Sequence, residues 1–256
     1  EIASCLVGSE MCIRDRFEID RVIAQTSGAI NEMDFQIKQK TKAGANYFHN
    51  LVINGTSASS GVGYVPNTFD GLKKILSGKS TEMTTDIDVS TSAMLDSNYN
   101  AFLDELDTFL ALLAAKPDVL MMNNKMLTKI RSAARRAGYY DRSKDDFGRT
   151  VETYNGILLM DAGEYYNGSA TEDVVATSTP DSTHYGTSDI YAAKLGLDAF
   201  HGISVDGSKM LKTYLPDMSA PGAVKKGEVE LIAGAVLKNS KMAGVLKGIK
   251  LLGKTS

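Results

Sequence analysis

The chain has 256 residues, of which 43% are hydrophobic and 23% are charged, so it can bury a large core as one or two domains. Its formal net charge of −3 argues against a generally basic nucleic-acid-binding protein, and 7% aromatic content without tryptophan leaves few side chains for stacking on bases. Its hydrophobic runs are much shorter than the ~20 residues that a membrane-spanning helix needs, so we expect no membrane partner.

The first sixteen residues differ in character from the rest of the chain. Residues 6–16, LVGSEMCIRDR, match the translation of a common sequencing-adapter DNA, so residues 1–16 are predicted to be a non-native segment. The alternative is a native N-terminus without regular structure, because the acidic start does not fit a signal peptide. Cys5 and Cys12 both lie in this segment. We therefore expect no disulfide, thiolate or cysteine-bound metal in the native chain, and we expect its own N-terminus to be missing.

Hydrophobic residues recur at helical spacing between Ile19 and Leu51 and predict a long helix. The predicted face consists of Ile19, Val22, Ile23, Ile30, Met33, Ile37, Tyr47, Phe48 and Leu51. Asn54 and Gly55 are predicted to end this helix and to start a flexible loop. A short element is predicted at residues 71–76.

A second helix is predicted from the hydrophobic stripe between Tyr99 and Leu113, with Asp96 or Ser97 as its N-cap. The short hydrophobic run at residues 118–122 then predicts a buried strand. A third helix follows, capped by Asn123 or Asn124 and closed by Gly138, with an inward face formed by Met126, Leu127, Ile130 and Ala134. This strand and helix are typical of half of a parallel α/β unit.

The third helix is basic, with no acidic residue between Asn124 and Tyr140. Its cations are Lys125, Lys129, Arg131, Arg135 and Arg136, and Arg142 extends the series. Such a helix can contact phosphate or an acidic protein surface. The alternative is a solvated face whose last arginines stabilise the helix C-terminus. Because the whole chain is acidic, a protein partner is favoured over phosphate.

The rest of the chain is predicted to be mostly β. Asn155-Gly156 separates two hydrophobic runs and predicts a tight hairpin. The polar stretch at residues 163–188 lacks hydrophobic periodicity and predicts a long exposed loop. Further strands are predicted at residues 190–194, 199–205, 210–215 and 229–238.

Candidate catalytic and metal-binding residues are few. The three histidines are not at metal-ligand spacing: His49, His184 and His201. His201 lies in a hydrophobic run after Asp198 and is interpreted as structural. Two acidic pairs could act in acid–base chemistry or bind a cation, although such pairs are common by chance: Asp86 with Asp88, and Asp161 with Glu164. The sequence therefore predicts no catalytic residue, no metal site and no cofactor.

Several stretches carry a family resemblance when they are taken in order. They are residues 118–138 (DVLMMNNKMLTKIRSAARRAG), 145–163 (DDFGRTVETYNGILLMDAG), 189–204 (DIYAAKLGLDAFHGIS), 220–249 (APGAVKKGEVELIAGAVLKNSKMAGVLKGI) and, upstream, the helix at 36–47 with FDGLKKIL at 69–76. Together they resemble the major capsid protein family of tailed bacteriophages, which has the Hong Kong 97 fold. Leu158 stands where the family usually has proline, which affects one turn.

The resemblance implies an α+β, Hong Kong 97-like capsid fold with a long spine helix, a peripheral β-rich domain and an axial α/β domain. The implied division is 1–16 non-native, 17–116 spine helix and part of the peripheral domain, 117–215 axial domain, and 216–256 return to the peripheral domain. It implies spine-helix packing through Ile30, Met33, Ile37, Tyr47 and Phe48, and an axial loop with Tyr165, Tyr166 and His184. The resemblance also leads us to expect that the N-terminal arm and extended loop of the family are missing from this sequence.

The resemblance also implies a structural, non-enzymatic subunit that assembles with copies of itself into capsomers and an icosahedral shell. Scaffold, portal and packaged DNA are the other expected partners, with the virion as location and the host cytoplasm as the place of assembly. The basic helix would then contact acidic neighbours or the genome. Two alternatives stay open. One is an encapsulin-like compartment shell, and the other is a soluble α+β enzyme or ligand-binding domain with a concave site at His201, Asp198 or the acidic pairs.

Overall fold

The computed structural model describes residues 11–20, 32–57, 68–138, 141–144, 150–204, 210–217 and 219–255. Its helices are α1 (Glu32–Asn54), α2 (Leu72–Ile75), α3 (Ser92–Ala111) and α4 (Asn124–Ala137). Its strands are β1 (Met11–Asp20), β2 (Glu82–Thr84), β3 (Val119–Met122), β4 (Asp141–Lys144), β5 (Thr150–Tyr154), β6 (Ile157–Asp161), β7 (Glu164–Tyr166), β8 (Thr171–Asp173), β9 (Gly186–Ala193), β10 (Phe200–Ile203), β11 (Leu211–Tyr214), β12 (Val224–Leu237) and β13 (Ala243–Leu252).

A mixed sheet of seven strands lies at the centre, in the order β2-β13-β9-β3-β6-β5-β4. β3 pairs in parallel with β6, and α4 lies between them in sequence, which confirms the predicted parallel α/β unit. The hairpin between β5 and β6 is also confirmed. Asn155 and Gly156 have φ angles of 49° and 70°, the left-handed conformations that a two-residue turn of this kind requires.

The two faces of the central sheet pack into different cores, because successive side chains of a strand point to opposite faces. Leu120 and Met122 of β3 pack with α3 and α4. Val119 and Met121 pack with the end of α1, with α2 and with β12. All four side chains are buried, which explains why this strand is a continuous hydrophobic run and does not alternate.

β12 organises a second, antiparallel sheet. β1 pairs along one of its edges, from Met11 opposite Ala233 to Asp20 opposite Val224, while β10 and β11 pair along the other edge. β1 includes residues 11–16 of the predicted non-native segment. Strands pair through backbone groups that every residue type except proline carries in full, so this pairing does not show where residues 11–16 come from. Their non-native origin stays a prediction.

The first predicted helix was placed too early at its N-terminal end. Ile19 lies in β1, where Phe17 and Ile19 are buried against Val229 while Arg16 and Glu18 are exposed. That alternation is the period of a strand, and ten consecutive pairs with β12 stabilise it. The helix itself is confirmed from Glu32 to Asn54. Val22, Ile23 and Ile30 lie outside the described residues.

Two further elements differ from the sequence predictions. The N-cap of α3 is Thr91, whose hydroxyl accepts a hydrogen bond from Met94 N at 3.2 Å, and not Asp96 or Ser97. The predicted loop at residues 163–188 contains the hairpin of β7 and β8 and the start of β9. In both segments short polar residues hydrogen-bond the backbone, so hydrophobic periodicity alone did not reveal the regular structure.

Two sets of strand pairs join segments that the predicted domain division separates, and the division itself stays a prediction. β10 and β11 fall in the segment predicted to be axial, 117–215, yet they pair with β12 in the second sheet. β13 falls in the segment predicted to be peripheral, 216–256, yet it lies inside the central sheet between β2 and β9. Both sets of pairs cross the predicted boundary between residues 215 and 216.

The chain crosses itself closely where α1 ends. Gly71 N donates to Gly55 O at 2.9 Å, which joins the start of α2 to the end of α1. A Cβ atom on Gly55 would lie 2.5 Å from Leu51 O and even closer to Phe69 O. Since these are backbone atoms that cannot rotate away, the crossing requires glycine at this position.

Candidate assembly surfaces

α4 is an amphipathic helix with well-defined ends. Asn123 Oδ1 accepts a hydrogen bond from Met126 N at 2.8 Å, and Gly138 ends the helix with φ 77°. Both caps confirm the sequence prediction. The buried face, as predicted, includes Met126, Leu127, Ile130 and Ala134, with Ala133 in addition. The basic residues therefore lie on the remaining faces.

Most of the basic side chains of α4 bind other parts of the same chain. Arg131 pairs with Glu152 on β5 and Arg136 pairs with Asp96 on α3. Lys125 Nζ lies 3.6 Å from Asp173 Oδ2. These pairs join α4 to α3, β5 and β8, so these cations stabilise the fold of the chain itself.

The other predicted contact residues of this series behave differently. Lys129 Nζ donates to Ser90 O at 2.7 Å, and burial lowers the pKa of its ammonium group. Arg135 is exposed, and no ion pair of this side chain is found in the part of the chain that the structure describes. The side chain of Arg142 lies outside the described residues, although its backbone is in β4. All six cations of the series stay predicted contact residues.

Two neighbouring arginines test whether ion pairs within the chain stabilise its fold. We expect Arg136→Ala to lower the free energy of unfolding by about 1 kcal/mol, because its side chain loses hydrogen bonds to Asp96, Ser92 and Ser132. Arg135→Ala is the matched control and should change it by less than ~0.5 kcal/mol. Urea unfolding of both variants measures the difference, and equal losses would contradict an intramolecular role for Arg136.

α1 packs on both sheets through the residues predicted for the spine helix. Met33 and Ile37 pack against Phe17, Ile19 and Val229 at the β1–β12 sheet. Tyr47 and Phe48 pack against the larger core, where the ring of Phe48 lies 5.9 Å from that of Phe69. The remaining predicted packing residue, Ile30, lies outside the described residues. α1 therefore joins the second sheet to the central one.

The hairpin of β7 and β8, which we call the acidic hairpin (residues 161–173), packs against α1. Tyr165 is half-buried there, and burial, with a hydrogen bond to Glu172, raises the pKa of its phenol. Tyr166 is 63% exposed at the tip. Asn167 Oδ1 accepts from Ser169 N and Ala170 N at 2.8 and 2.9 Å, which fixes the turn.

A groove of about 560 Å³ separates α1 from the acidic hairpin. Its walls are formed by Gln39, Lys40, Lys42, Ala43, Gly44, Asn46, Tyr47, Glu164, Tyr165, Tyr166, Thr171, Leu211, Val229 and Leu231. Among the described residues that line it, the groove has one carboxylate, that of Glu164, and no histidine.

His184, predicted to share an axial loop with the two tyrosines, lies in a separate exposed turn. Its Nδ1 is 2.9 Å from Asp181 Oδ2, and hydrogen bonds from Thr183 and His184 lower the pKa of the Asp181 carboxyl group. This turn faces Tyr185, whose ring lies 5.0 Å from Lys250 Nζ and 5.1 Å from Lys254 Nζ. The predicted loop therefore consists of two distinct surfaces.

The remaining candidate residues are dispersed. His49 is exposed on α1, and His201 lies in β10 with its buried Nδ1 unpartnered within the described structure. A second groove lies beside the His184 turn, between Ser178 and Lys254, and neither His201 nor Asp198 lines that groove or the groove at α1. Asp86 pairs with Lys250 at 2.7 Å. Among the residues that the structure describes, no group of three His, Cys, Asp or Glu side chains could hold a metal ion.

Sequence reasoning missed the acidic hairpin and the wider role of Asn123. Tyr166-Asn167-Gly168 carried a turn signal that the low hydrophobicity of the surrounding stretch obscured. Asn123 was predicted as a helix cap only. Its amide also donates to Val175 O at 3.0 Å, to Thr177 Oγ1 at 2.8 Å and to Ser188 Oγ at 2.9 Å. No local pattern gives those three partners.

The chain is similar to several known proteins. A family model described as SU10 major capsid protein matches residues 20–158, which is more than half of the chain. No curated protein matches the sequence. Of the described helices, none combines the length and hydrophobicity of a membrane span.

Solved structures of shell proteins share the fold at low sequence identity. The SrpI encapsulin of Synechococcus elongatus PCC 7942 aligns with a TM-score of 0.65 and 13% identity, over 96% of this chain and 76% of that one. The capsid protein of a native GTA particle gives 0.54 and 14%, over 94% and 73%. A structure from E. coli CFT073 described as a prophage capsid protein gives 0.52 and 14%, over 94% and 77%.

Proposed function

The chain belongs to the SU10 major capsid protein family, and from that premise we propose how it serves in the shell of a tailed bacteriophage. Its fold is the α+β, Hong Kong 97-like capsid fold. Its role is structural and not enzymatic, and copies of the chain assemble with one another into a virion capsid. The observation that carries this conclusion is the match of residues 20–158 to the capsid family model.

In the proposed shell, the subunits form an icosahedral lattice around packaged DNA. Assembly takes place in the host cytoplasm with a scaffold and a portal as partners. The support is the family membership, because a head that packages DNA needs an entry point and a means of setting its size.

We propose two kinds of surface on each subunit. α1 acts as the spine, because it packs on both sheets and keeps them in a fixed relation. The basic series of α4, extended by Arg142, contacts acidic neighbours or the genome, and Arg135 is the exposed member on α4 without an ion pair among the described residues. The exposed tips at Tyr166 and His184 are the parts of residues 163–188 proposed to lie near the capsomer axis.

A compartment shell is the second candidate function, because an encapsulin shares the fold. The encapsulin gives a TM-score of 0.65, against 0.54 for the GTA capsid protein. Both values describe a shared fold at identities of 13% and 14%, so they do not decide between the two kinds of shell. The family match favours the capsid.

The contents of native particles distinguish these two functions. Particles from the source material would be separated by density, treated with nuclease and analysed by peptide mass spectrometry. We expect peptides of this chain in the fraction that protects DNA from the nuclease. Peptides confined to DNA-free shells that contain an enzyme would assign the compartment function instead.

A further inference from the structure

One end of the central sheet is built from turns that backbone hydrogen bonds hold together. Ala114 N donates to Lys241 O at 2.9 Å, and Lys194 N donates to Met242 O at 2.8 Å. β3, β6 and β13 begin at this end and β9 finishes there. We call it the lysine rim, and it consists of residues 112–118, 155–156, 194–198 and 238–242.

The lysine rim exposes leucines beside lysines. The leucines are Leu112, Leu195 and Leu197, which are 41%, 54% and 78% exposed. The lysines are Lys116, Lys238 and Lys241, all exposed and without an ion pair in the ranges that the structure describes. The other charges of the rim are Lys194, which binds Asp118 at 3.2 Å, and Asp198. The rim thus has four lysines and only two aspartates, so it carries a net positive charge beside its exposed leucines.

One segment at the opposite end of the same sheet is rich in acidic residues. β6 runs from the lysine rim at Ile157 to Asp161, where the acidic hairpin begins. Residues 161–193 contain six acidic residues and no lysine or arginine. On the hairpin, Glu164 and Glu172 are exposed on the same small sheet as the tip residue Tyr166.

We propose that the acidic hairpin of one copy docks on the lysine rim of the next copy. This inference rests on the proposed function and deepens it by naming the two surfaces of one subunit contact. The surfaces differ and lie at opposite ends of the sheet, so one chain cannot join them to each other. A contact between two different patches is heterologous, and it closes into a ring when the rotation between subunits permits.

The chemistry of the two surfaces favours a protein contact. Carboxylates of the hairpin oppose the lysines of the rim, and such complementarity steers association and fixes the register of the partners. Tyr166 can cover the leucines, since tyrosine is enriched in the cores of interfaces. The phosphates of a nucleic acid could pair with the lysines of the rim, but they would also place charged groups against its exposed leucines.

Zero-length crosslinking of the full chain tests the contact directly. Equal amounts of ¹⁴N-labelled and ¹⁵N-labelled chain are mixed at high concentration, and a carbodiimide then couples carboxylates to nearby amines. We expect mixed-isotope peptides that join Lys238 or Lys241 to Glu164 or Glu172. Their yield should fall with added salt, because screening weakens contacts between exposed charges. The absence of these mixed-isotope links would overturn the proposal.

Charge-reversal variants make the test quantitative. Lys238→Glu with Lys241→Glu, or Glu164→Lys with Glu172→Lys, should each lower the yield of such links by about ten-fold or more, because each places like charges opposite each other. All four substitutions in one chain restore opposite charges and should restore carbodiimide coupling between the two segments. Lys73→Glu with Lys79→Glu is the control with the same change in net charge as the rim variant, and it should leave the yield unchanged. Thermal unfolding of each variant confirms that it is folded.

The outcomes separate this inference from the proposed function. Closed shells without links between hairpin and rim would overturn the inference and leave the shell function in place. Links without any shell would support the contact and count against the shell function. A gel shift of a DNA oligonucleotide that the rim reversal abolishes, with no hairpin links, would assign the rim to nucleic acid and overturn the proposed contact.

Discussion

Replacing Gly55 by alanine is expected to destabilise the fold by about 3 kcal/mol or more. The added Cβ would meet the carbonyl oxygens of Leu51 and Phe69, and neither can move without opening the crossing that Gly71 closes. The free energy of unfolding would be measured by urea titration followed by circular dichroism. A Gly55→Ala chain with wild-type stability would contradict the tight crossing at the end of α1.

The matched control is the same substitution on the same helix. Gly44 lies inside α1, and a Cβ atom there meets nothing within 4 Å. Gly44→Ala is therefore expected to stabilise the chain by about 0.5–1 kcal/mol, because alanine loses less backbone entropy than glycine when a helix forms. Opposite signs for the two glycines would show that the effect at Gly55 is steric and not a general response of the helix.

Asn123→Ala is expected to lower the free energy of unfolding by about 3 kcal/mol. The side chain is 1% exposed and combines the cap of α4 with hydrogen bonds to Val175, Thr177 and Ser188. Its removal leaves buried polar groups without partners in addition to an uncapped helix. The same urea titration measures the loss, with Asn124→Ala, at an exposed neighbouring position, as the control that should change little.

A second variant separates the two roles of this residue. Asn123→Asp keeps an oxygen that can accept a hydrogen bond from Met126 N. It removes the amide that donates to Val175, Thr177 and Ser188. We expect a loss close to that of Asn123→Ala, because the two N–H groups of the amide, shared among three buried acceptors, outnumber the single cap bond. Wild-type stability of Asn123→Asp would show that capping alone matters.

Elements with strong local signals could be predicted from the sequence. Asn123 and Gly138 mark the ends of α4 through their own side-chain and backbone chemistry, and Asn155-Gly156 does the same for the β5–β6 turn. Ile19 could not be placed correctly, because its strand depends on pairing with β12, about two hundred residues away in the chain. Spacing to nearby hydrophobic residues predicted a helix instead.

The surfaces were harder to predict than the elements. The charge of α4 was visible in the sequence, but the partners of that charge were not. Asp96, Glu152 and Asp173 lie on three other elements, and only the fold brings them to α4. The lysine rim likewise has no sequence signature, because turns from four separate parts of the chain form it. The sequence pattern of one element therefore shows which of its residues are charged. Which of those charges stay exposed depends on the other elements that the fold brings next to them.

Electron microscopy of the purified full chain in negative stain tests the central claim most directly. The chain would be examined over a series of concentrations and salt conditions, with sedimentation velocity on the same samples. A capsid subunit is predicted to form closed shells or capsomer rings of uniform size. A single monomeric species under every condition would contradict the account of this chain as a subunit that assembles with itself.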